Sequence, residues 1–344
     1  MVRRFEIADC RAWPHAWGMR RVVFFVNPLL AARGGRRAIV ERCAAIVRAE
    51  GCAAEVRDTL GGRTAGEQAS EAVDSGFDTV FACGGDGTLF YVLQGVAGSQ
   101  AALGVIPLGT GNVLARNLRL PRDPVAALRT QWRAEAVEIP LGEIACKENG
   151  DCERNWYFTI AAGVGVHAAV MNLAPSGWSK RLWGRGAYYA SGARLLLRHA
   201  IQPFDVELTG AGGMDGAGGM DGAVRVFRAC ELLAVRVPAI DRWRPGGDLR
   251  SPHLRVAAVP HTGRMGLAHA GFHAVVTRRG RDGAVEKLRL PYPIYEDAVQ
   301  VVCRPVLGFR YETPLPVEAD GEVIGLESAT LKVAQKRLRL LWPV

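Results

Sequence analysis

The 344-residue chain contains no apolar run approaching the ~18 residues needed to cross a bilayer. Its most apolar stretch, Val22 to Val26, stops at Asn27-Pro28. The chain therefore reads as one that does not span a membrane. Glu6, Asp9 and Arg11 occupy the place where a signal peptide has its apolar stretch, so the expected compartment is the cytoplasm. CxxC pairs are missing too: the closest two of the eight cysteines, Cys146 and Cys152, have five residues between them. That spacing argues against a zinc ribbon, a thioredoxin-type centre or a disulfide framework. No GxxxxGK[ST], GxSxG or HExxH occurs, which removes the Walker A loop, the nucleophile elbow and the zincin helix. Finally, no acidic residue lies between Arg154 and Phe204, although that segment carries Lys180, Arg181, Arg185, Arg194 and Arg198. With a net charge of +9, polyanions are the expected partners: nucleotide phosphates, anionic lipid or nucleic acid.

What is present is globular in composition, 49% hydrophobic and 22% charged, and long enough for two domains. From Arg20 onward, short apolar runs alternate with helical patterns. RRVVFFVNP, AAEVRDT, FDTVFAC and LGVIPL read as strands; Arg36 to Glu50, Ala65 to Ser75 and the segment from Thr88 read as helices. This alternation predicts an α/β domain with a parallel sheet over about residues 20–135, preceded by an extension, 1–19. After Leu120-Pro121 strand-like runs dominate, among them Trp156 to Ala161, Leu232 to Val237, Leu254 to Val259, His273 to Thr277 and Val299 to Cys303, interrupted by one helical stretch, Arg181 to His199. A second, mostly antiparallel β domain is expected over 136–334. The tandem AGGMDG repeat at 211–222 reads as a glycine-rich hairpin loop.

Gly84-Gly85-Asp86-Gly87-Thr88 follows one strand directly and opens a helix. Glycines let backbone N–H groups approach a phosphate, the helix N-terminus favours an anion, and an aspartate there makes sense if it meets a divalent cation bridging phosphate oxygens. The other reading is a tight turn in which Asp86 caps a helix. Gly109-Thr110-Gly111-Asn112 repeats the design after the next strand, and both loops are expected at the carboxyl edge of one sheet. Gly163 to Ala168 satisfies GxGxxA, but no acidic residue follows before Asp205, so dinucleotide binding there is not expected. His269 and His273 have helical spacing without an acidic third ligand nearby. Late in the chain, Asp320-Gly321-Glu322 sets two carboxylates around a glycine turn; by itself such a turn means only a hairpin.

Taken together, Asn27-Pro28, Thr59, GGDGT, PLGTGNVLARNL, AAGVGVHAAV, the stretch Lys180 to Tyr189 and the late DGE resemble, in order, the bacterial diacylglycerol kinase-like lipid kinases, whose catalytic domain is shared with sphingosine and ceramide kinases. The resemblance implies a nucleotide domain akin to those of NAD kinases and 6-phosphofructokinases, a β-rich second domain with ATP and lipid hydroxyl meeting between the two, and a final strand, about 335–344, returning to the first. It implies ATP contacts at Asn27, Pro28, Thr59, Gly84, Gly85, Gly87, Thr88, Gly109, Thr110, Gly111 and Asn112. It further implies Mg²⁺ at Asp86, a general base at Asp320 with Glu322 beside it, and a lipid alcohol as substrate.

The chain departs from the family at several points. Phe90 and Tyr91 stand where a polar and an acidic residue are usual, and His167 stands for the acid of a G-x-G-F-D segment. LLAARGG replaces a Ser-Gly turn, and the region of Ser251-Pro252-His253 lacks an Asp-Gly pattern linked in some members to a structural magnesium. A lipid- or nucleotide-binding homologue without catalysis is therefore a second reading; NAD kinase is a third, and nucleic-acid binding is not expected. The basic stretch with Trp178, Trp183, Tyr188 and Tyr189 suits either an anionic membrane surface or an ordinary helix with its aromatics in the core.

Overall fold

The computed structural model describes residues 20–28, 35–148, 152–173, 201–210, 224–240, 243–261 and 293–343. The extension 1–19, the basic stretch Lys180 to Tyr189, the helix expected at Arg181 to His199, the AGGMDG repeat, and His269 and His273 with the strand expected there lie outside these residues. The chain divides into two compact units, one running to Ile139 and resuming at Arg337, the other from Pro140 to Lys336.

The first unit alternates β1 (Arg21–Val26), α1 (Arg36–Ala49), β2 (Ala53–Asp58), α2 (Thr64–Asp74), β3 (Thr79–Gly84), α3 (Asp86–Val96), β4 (Ala102–Pro107), α4 (Val113–Asn117) and α5 (Pro124–Trp132). Neighbouring strands are parallel in the order β2-β1-β3-β4. Every residue of β3 and β4 is buried, which is why these runs are continuously apolar rather than alternating. Helix α1 presents Val40, Cys43, Ala44 and Val47 at helical spacing to Val22, Phe24 and Val26, and Phe24 stacks on Phe81 at 5.0 Å.

Helix α5, in the stretch where the sequence turns strand-like, still belongs to this unit. Its start is local chemistry: Pro124 follows Asp123, whose carboxylate accepts the Ala126 N–H at 2.7 Å. Its end is tertiary. Buried Gln131 accepts the Val105 N–H at 2.8 Å and donates to the Val105 carbonyl at 2.7 Å, satisfying that residue of β4 as a neighbouring strand would.

The second unit is antiparallel throughout its described pairings. It comprises the distal part of β5 (Glu135–Glu148), β6 (Cys152–Phe158), β7 (Ala161–Gly165), the helix α6 (Val166–Leu173), β8 (Phe204–Thr209), β9 (Val224–Val235), β10 (Leu254–Pro260), β11 (Ile294–Ala298), β12 (Gln300–Pro305), β13 (Pro316–Ala319) and most of β14 (Glu322–Trp342). Strands β11-β10-β9-β7-β13-β14 follow one another, and β8 lies between β9 and β12. The end of β14 belongs to the first unit, where Arg339 and Leu340 pair in parallel with Ala102 and Leu103 of β4.

Two local outcomes differ from the sequence reading. Trp156 to Ala161 is two strands, β6 and β7, broken at Thr159-Ile160. The GxGxxA segment is a strand running into α6, and Gly165 is needed there for packing: a Cβ on it would stand 2.3 Å from the Cys230 carbonyl oxygen. Among the described residues no helix is long and apolar enough to cross a membrane.

Candidate active site

The four parallel strands of the first unit end in register. Val26 lies opposite Asp58 and Cys83, and Gly84 lies opposite Pro107. The residues just beyond, Asn27, Thr59, Gly85 and Gly109, therefore line one carboxyl edge. The chain turns to opposite sides of β1 to make β2 and β3, and the carboxyl edge of such a switch point is where open α/β sheets bind ligands. Thr59 is buried and its N–H bonds to the Val26 carbonyl at 2.9 Å; Asn27 is half-buried, and Pro28 and Thr110 are exposed.

The two glycine loops are built against each other. Gly109 N–H reaches the Gly84 carbonyl at 3.1 Å and the Asn112 Oδ1 at 3.0 Å, and Asn112 Nδ2 donates back to the Gly109 carbonyl at 2.8 Å. A Cβ on Gly109 would lie 2.5 Å from the Gly85 Cα, so only glycine permits this approach. Thr88 is buried in the first turn of α3, and Gly85, Gly87, Gly111 and Asn112 are half-buried.

Asp86 joins the loops. Its Oδ1 accepts the Val113 N–H at 2.7 Å, so it caps α4, the helix after the other loop. Burial raises its pKa, opposed by the N–H groups of Val113, Leu114 and Asp86 itself and by Arg116. Its Oδ2 faces Gly111, where an added Cβ would come within 2.7 Å. This is a strut held by the N–H groups of Val113 and Leu114, and it combines both readings of the sequence. Mg²⁺ typically takes one or two carboxylates plus phosphate oxygens and water, so a single carboxylate beside phosphate-accessible glycines suits it. Among the described residues, no three His, Cys, Asp or Glu side chains converge as an all-protein metal site. Phe90 is wholly buried in α3, so this departure from the family falls in the core; Tyr91 beside it is half-buried.

The second unit holds the other carboxylates. Asp320 has a left-handed backbone (φ 48°) and is buried at the tip of the turn joining β13 to β14. Its Oδ1 accepts the N–H groups of Ile160 (2.8 Å) and Ala161 (3.0 Å), and its Oδ2 accepts the N–H (3.0 Å) and hydroxyl (3.1 Å) of Thr159. A carboxylate offers about four acceptor sites, and all are taken. Burial pushes the Asp320 pKa up to about 7, against the pull of the Thr159, Ile160 and Ala161 N–H groups and with a further push from Glu318. The raised pKa favours proton uptake at Asp320, while its four hydrogen bonds mean that a proton taken up there displaces a donor. Glu322, two residues on, is half-buried, and so is Gly321 between them.

Three residues that the sequence did not single out as a group surround this turn. Glu318, almost wholly buried, accepts the Gly321 N–H at 2.9 Å on one oxygen and sets the other 3.3 Å from His167 Nδ1. Glu231 accepts the His167 N–H at 2.6 Å. Burial raises Glu231 to about 8; burial alone would lower His167, but Glu318 and then Glu231 lift it above the ordinary histidine value. A signal was available, since Glu231 and Glu318 interrupt the apolar strands ACELLAV and PVEA. The region without the Asp-Gly pattern is held by the fully buried Arg236, whose guanidinium donates to the carbonyls of Pro140, Leu249, Ser251 and His253 at 2.9 to 3.0 Å.

Comparison with known proteins agrees with this architecture. The diacylglycerol kinase catalytic domain family matches residues 21–144. A diacylglycerol kinase of Staphylococcus aureus is 31% identical over 283 residues, covering 80% of this chain and 78% of that protein. A probable lipid kinase YegS-like of Cronobacter sakazakii is 32% identical over 139 residues, 39% of this chain. The chain spans about half the length of several such relatives, 44% in the Cronobacter case and 50% in a Chromohalobacter salexigens counterpart. A crystal structure of a diacylglycerol kinase from Bacillus anthracis shares the fold with a TM-score of 0.61 at 17% identity, covering 94% of this chain and 97% of that one. The length of the Staphylococcus aureus match, together with the catalytic-domain match, means that the chain belongs to the bacterial diacylglycerol kinase-like lipid kinase family.

Proposed function

We propose that the protein transfers the γ-phosphoryl group of ATP to a hydroxyl of diacylglycerol or a related lipid alcohol. The observation that carries the nucleotide half is the interlocked pair of glycine loops at the carboxyl edge of the parallel sheet, joined through Asp86. Backbone N–H groups at the start of α3, cleared of side chains by Gly84, Gly85 and Gly87, would receive phosphate oxygens. Asn27, Pro28, Thr59, Thr110 and Asn112 would hold the rest of the nucleotide. When bound, Mg²⁺ would supply positive charge to the phosphate oxygens, and Asp86 is the side chain that would hold it.

In the second unit, Glu322 is assigned the proton of the attacking hydroxyl, and Asp320 the task of fixing the turn that presents Glu322. The support is the saturated carboxylate of Asp320, which has no acceptor site left, beside a half-exposed carboxylate on the same turn. As the lipid oxygen bonds to the γ-phosphorus, the bond from that phosphorus to the β,γ-bridging oxygen would break and ADP would leave with its electron pair, while the hydroxyl proton passes to Glu322. Labelled ATP incubated with diacylglycerol and other lipid alcohols in mixed micelles, with products resolved by chromatography, tests the reading. No labelled lipid from any alcohol would defeat it.

A further inference from the structure

The DGE turn of the second unit rests on side chains that the proposed reaction does not use. Asp320 and Gly321, both left-handed at φ 48° and 86°, are the central residues of a tight hairpin joining Ala319 to Glu322. The Gly321 N–H donates to Glu318 Oε2 at 2.9 Å, and the other oxygen of that carboxylate stands 3.3 Å from His167 Nδ1. The ladder between β13 and β14 shifts register between Val317 and Glu318, an irregularity of the kind that re-aims a side chain. Glu231 of β9 fixes the histidine from behind, accepting its backbone N–H at 2.6 Å. Glu318 is 1% exposed and Glu231 8%, whereas the His167 side chain keeps 24%, so the histidine is where this cluster opens to solvent.

Helix α6 packs against β7, β9 and β13, and β7 carries no titratable residue. Of the groups on the other two strands, Glu231 and Glu318 face His167. Cys230 bonds instead to the Val259 and Pro260 carbonyls, Arg228 pairs with Asp205, and Arg225 lies over Tyr295. Burial alone would lower the His167 pKa, but Glu318 and then Glu231 raise it above the ordinary histidine value. An acid at position 167, usual in the family, would set a third carboxylate against these two; histidine supplies the opposite charge. A charged imidazole keeps Glu318 ionised, and an ionised carboxylate holds an N–H more strongly than a neutral one. We propose that His167 is a positioning residue for phosphoryl transfer: through Glu318 it fixes the Gly321 amide, and with it the turn that presents Glu322, and it relaxes that hold when it loses its proton. The proposal rests on the lipid-kinase reading, with Glu322 as proton acceptor.

Steady-state kinetics with ATP and diacylglycerol across pH tests the catalytic side. His167→Leu should lower kcat by about 10- to 100-fold, the cost of misplacing a group at the reacting centre, with the KM for ATP unchanged. His167→Asn sets an amide N–H where Nδ1 stands but carries no titrating charge. It should restore kcat to within a few-fold of wild type, and it should remove the decline in kcat that the wild type shows as pH rises through the His167 pKa. The amide resonance of Gly321, followed against pH without ATP or lipid, reads the linkage apart from catalysis: it should titrate with the His167 imidazole in wild type and stay flat in His167→Asn. A His167→Leu enzyme with wild-type kcat and only a lower thermal midpoint, or a His167→Asn enzyme that keeps the alkaline decline, would overturn the proposal. So would a Gly321 amide indifferent to His167 in an active kinase, which would leave the kinase reading standing. Titration of that amide with His167 in a protein that phosphorylates no lipid would uphold the link to the turn while defeating the kinase reading.

Discussion

Asp86 and Asp320 are both aspartates beside a glycine at the end of a strand, yet their surroundings assign them different work. Asp86 sits where two loops of a parallel sheet converge, and its carboxylate meets N–H groups at the start of α4, Val113 at 2.7 Å among them. Asp320 sits on a tight turn between antiparallel strands and meets the N–H groups of Thr159, Ile160 and Ala161, where β6 breaks from β7, together with the Thr159 hydroxyl. Asp86, half-buried beside the glycine loops, can still meet a ligand; Asp320, enclosed by four donors, fixes the backbone around it. Sequence proximity to glycine therefore marks where a carboxylate is accessible to backbone donors, but not what it does.

The comparison is broken most sharply at Asp86. Asp86→Asn preserves shape but removes charge, and kcat on diacylglycerol should fall by about 10²- to 10³-fold, the usual cost of losing an electrostatic contact to the transferring group. Retention of activity within a few-fold would make Asp86 a loop strut only. The next largest effect separates the two carboxylates of the DGE turn. Glu322→Gln should lower kcat by about 10²-fold or more with the thermal midpoint unchanged. Asp320→Asn should instead lose stability by roughly 3 kcal/mol, read by denaturant unfolding, because an amide NH₂ would face N–H donors in a buried site. The opposite pattern, a stable but inactive Asp320→Asn, would return the base role to Asp320.

A smaller effect is expected at the loop contact. Gly109→Ala must push Gly85 away, at a cost of about 1 to 3 kcal/mol, and should raise the KM for ATP more than it lowers kcat. The smallest concerns pH. Glu231, raised to about 8 by burial, binds a proton in the folded state at pH values where the unfolded chain has released it, so its contribution to stability is lost as pH rises from its ordinary range through about 8. His167, also raised, contributes in the same direction. The thermal midpoint should fall between pH 6 and 9 on the order of a few degrees, and Glu231→Gln should flatten the slope.

Much of this architecture is legible before any coordinates. VVFFV and TVFAC are strands because they are apolar, β-branched and bounded, and α1 is a helix because its apolar residues recur at helical spacing. Other elements were hidden. Helix α5 has few large apolar residues and leans on Gln131 bonding to Val105, 26 positions away. The break between β6 and β7 leaves no glycine or proline, because Asp320 supplies the partner for the backbone donors freed at Thr159 and Ile160. Phe90 read as a lost polar group at the site, whereas its side chain is packed inside α3's buried face.

What the sequence alone determined are the features set by neighbours along the chain: the strand and helix periods, the two glycine turns, and the place of Asp86 and DGE at strand ends. Those follow from backbone sterics and hydrophobic spacing, which act within a few residues. The tertiary structure decided which carboxylate faces the glycine loops and which is enclosed by backbone donors. That depends on donors from far along the chain, 27 residues from Asp86 and 161 from Asp320, and hydrogen-bond saturation is a property of the folded neighbourhood rather than of any local pattern.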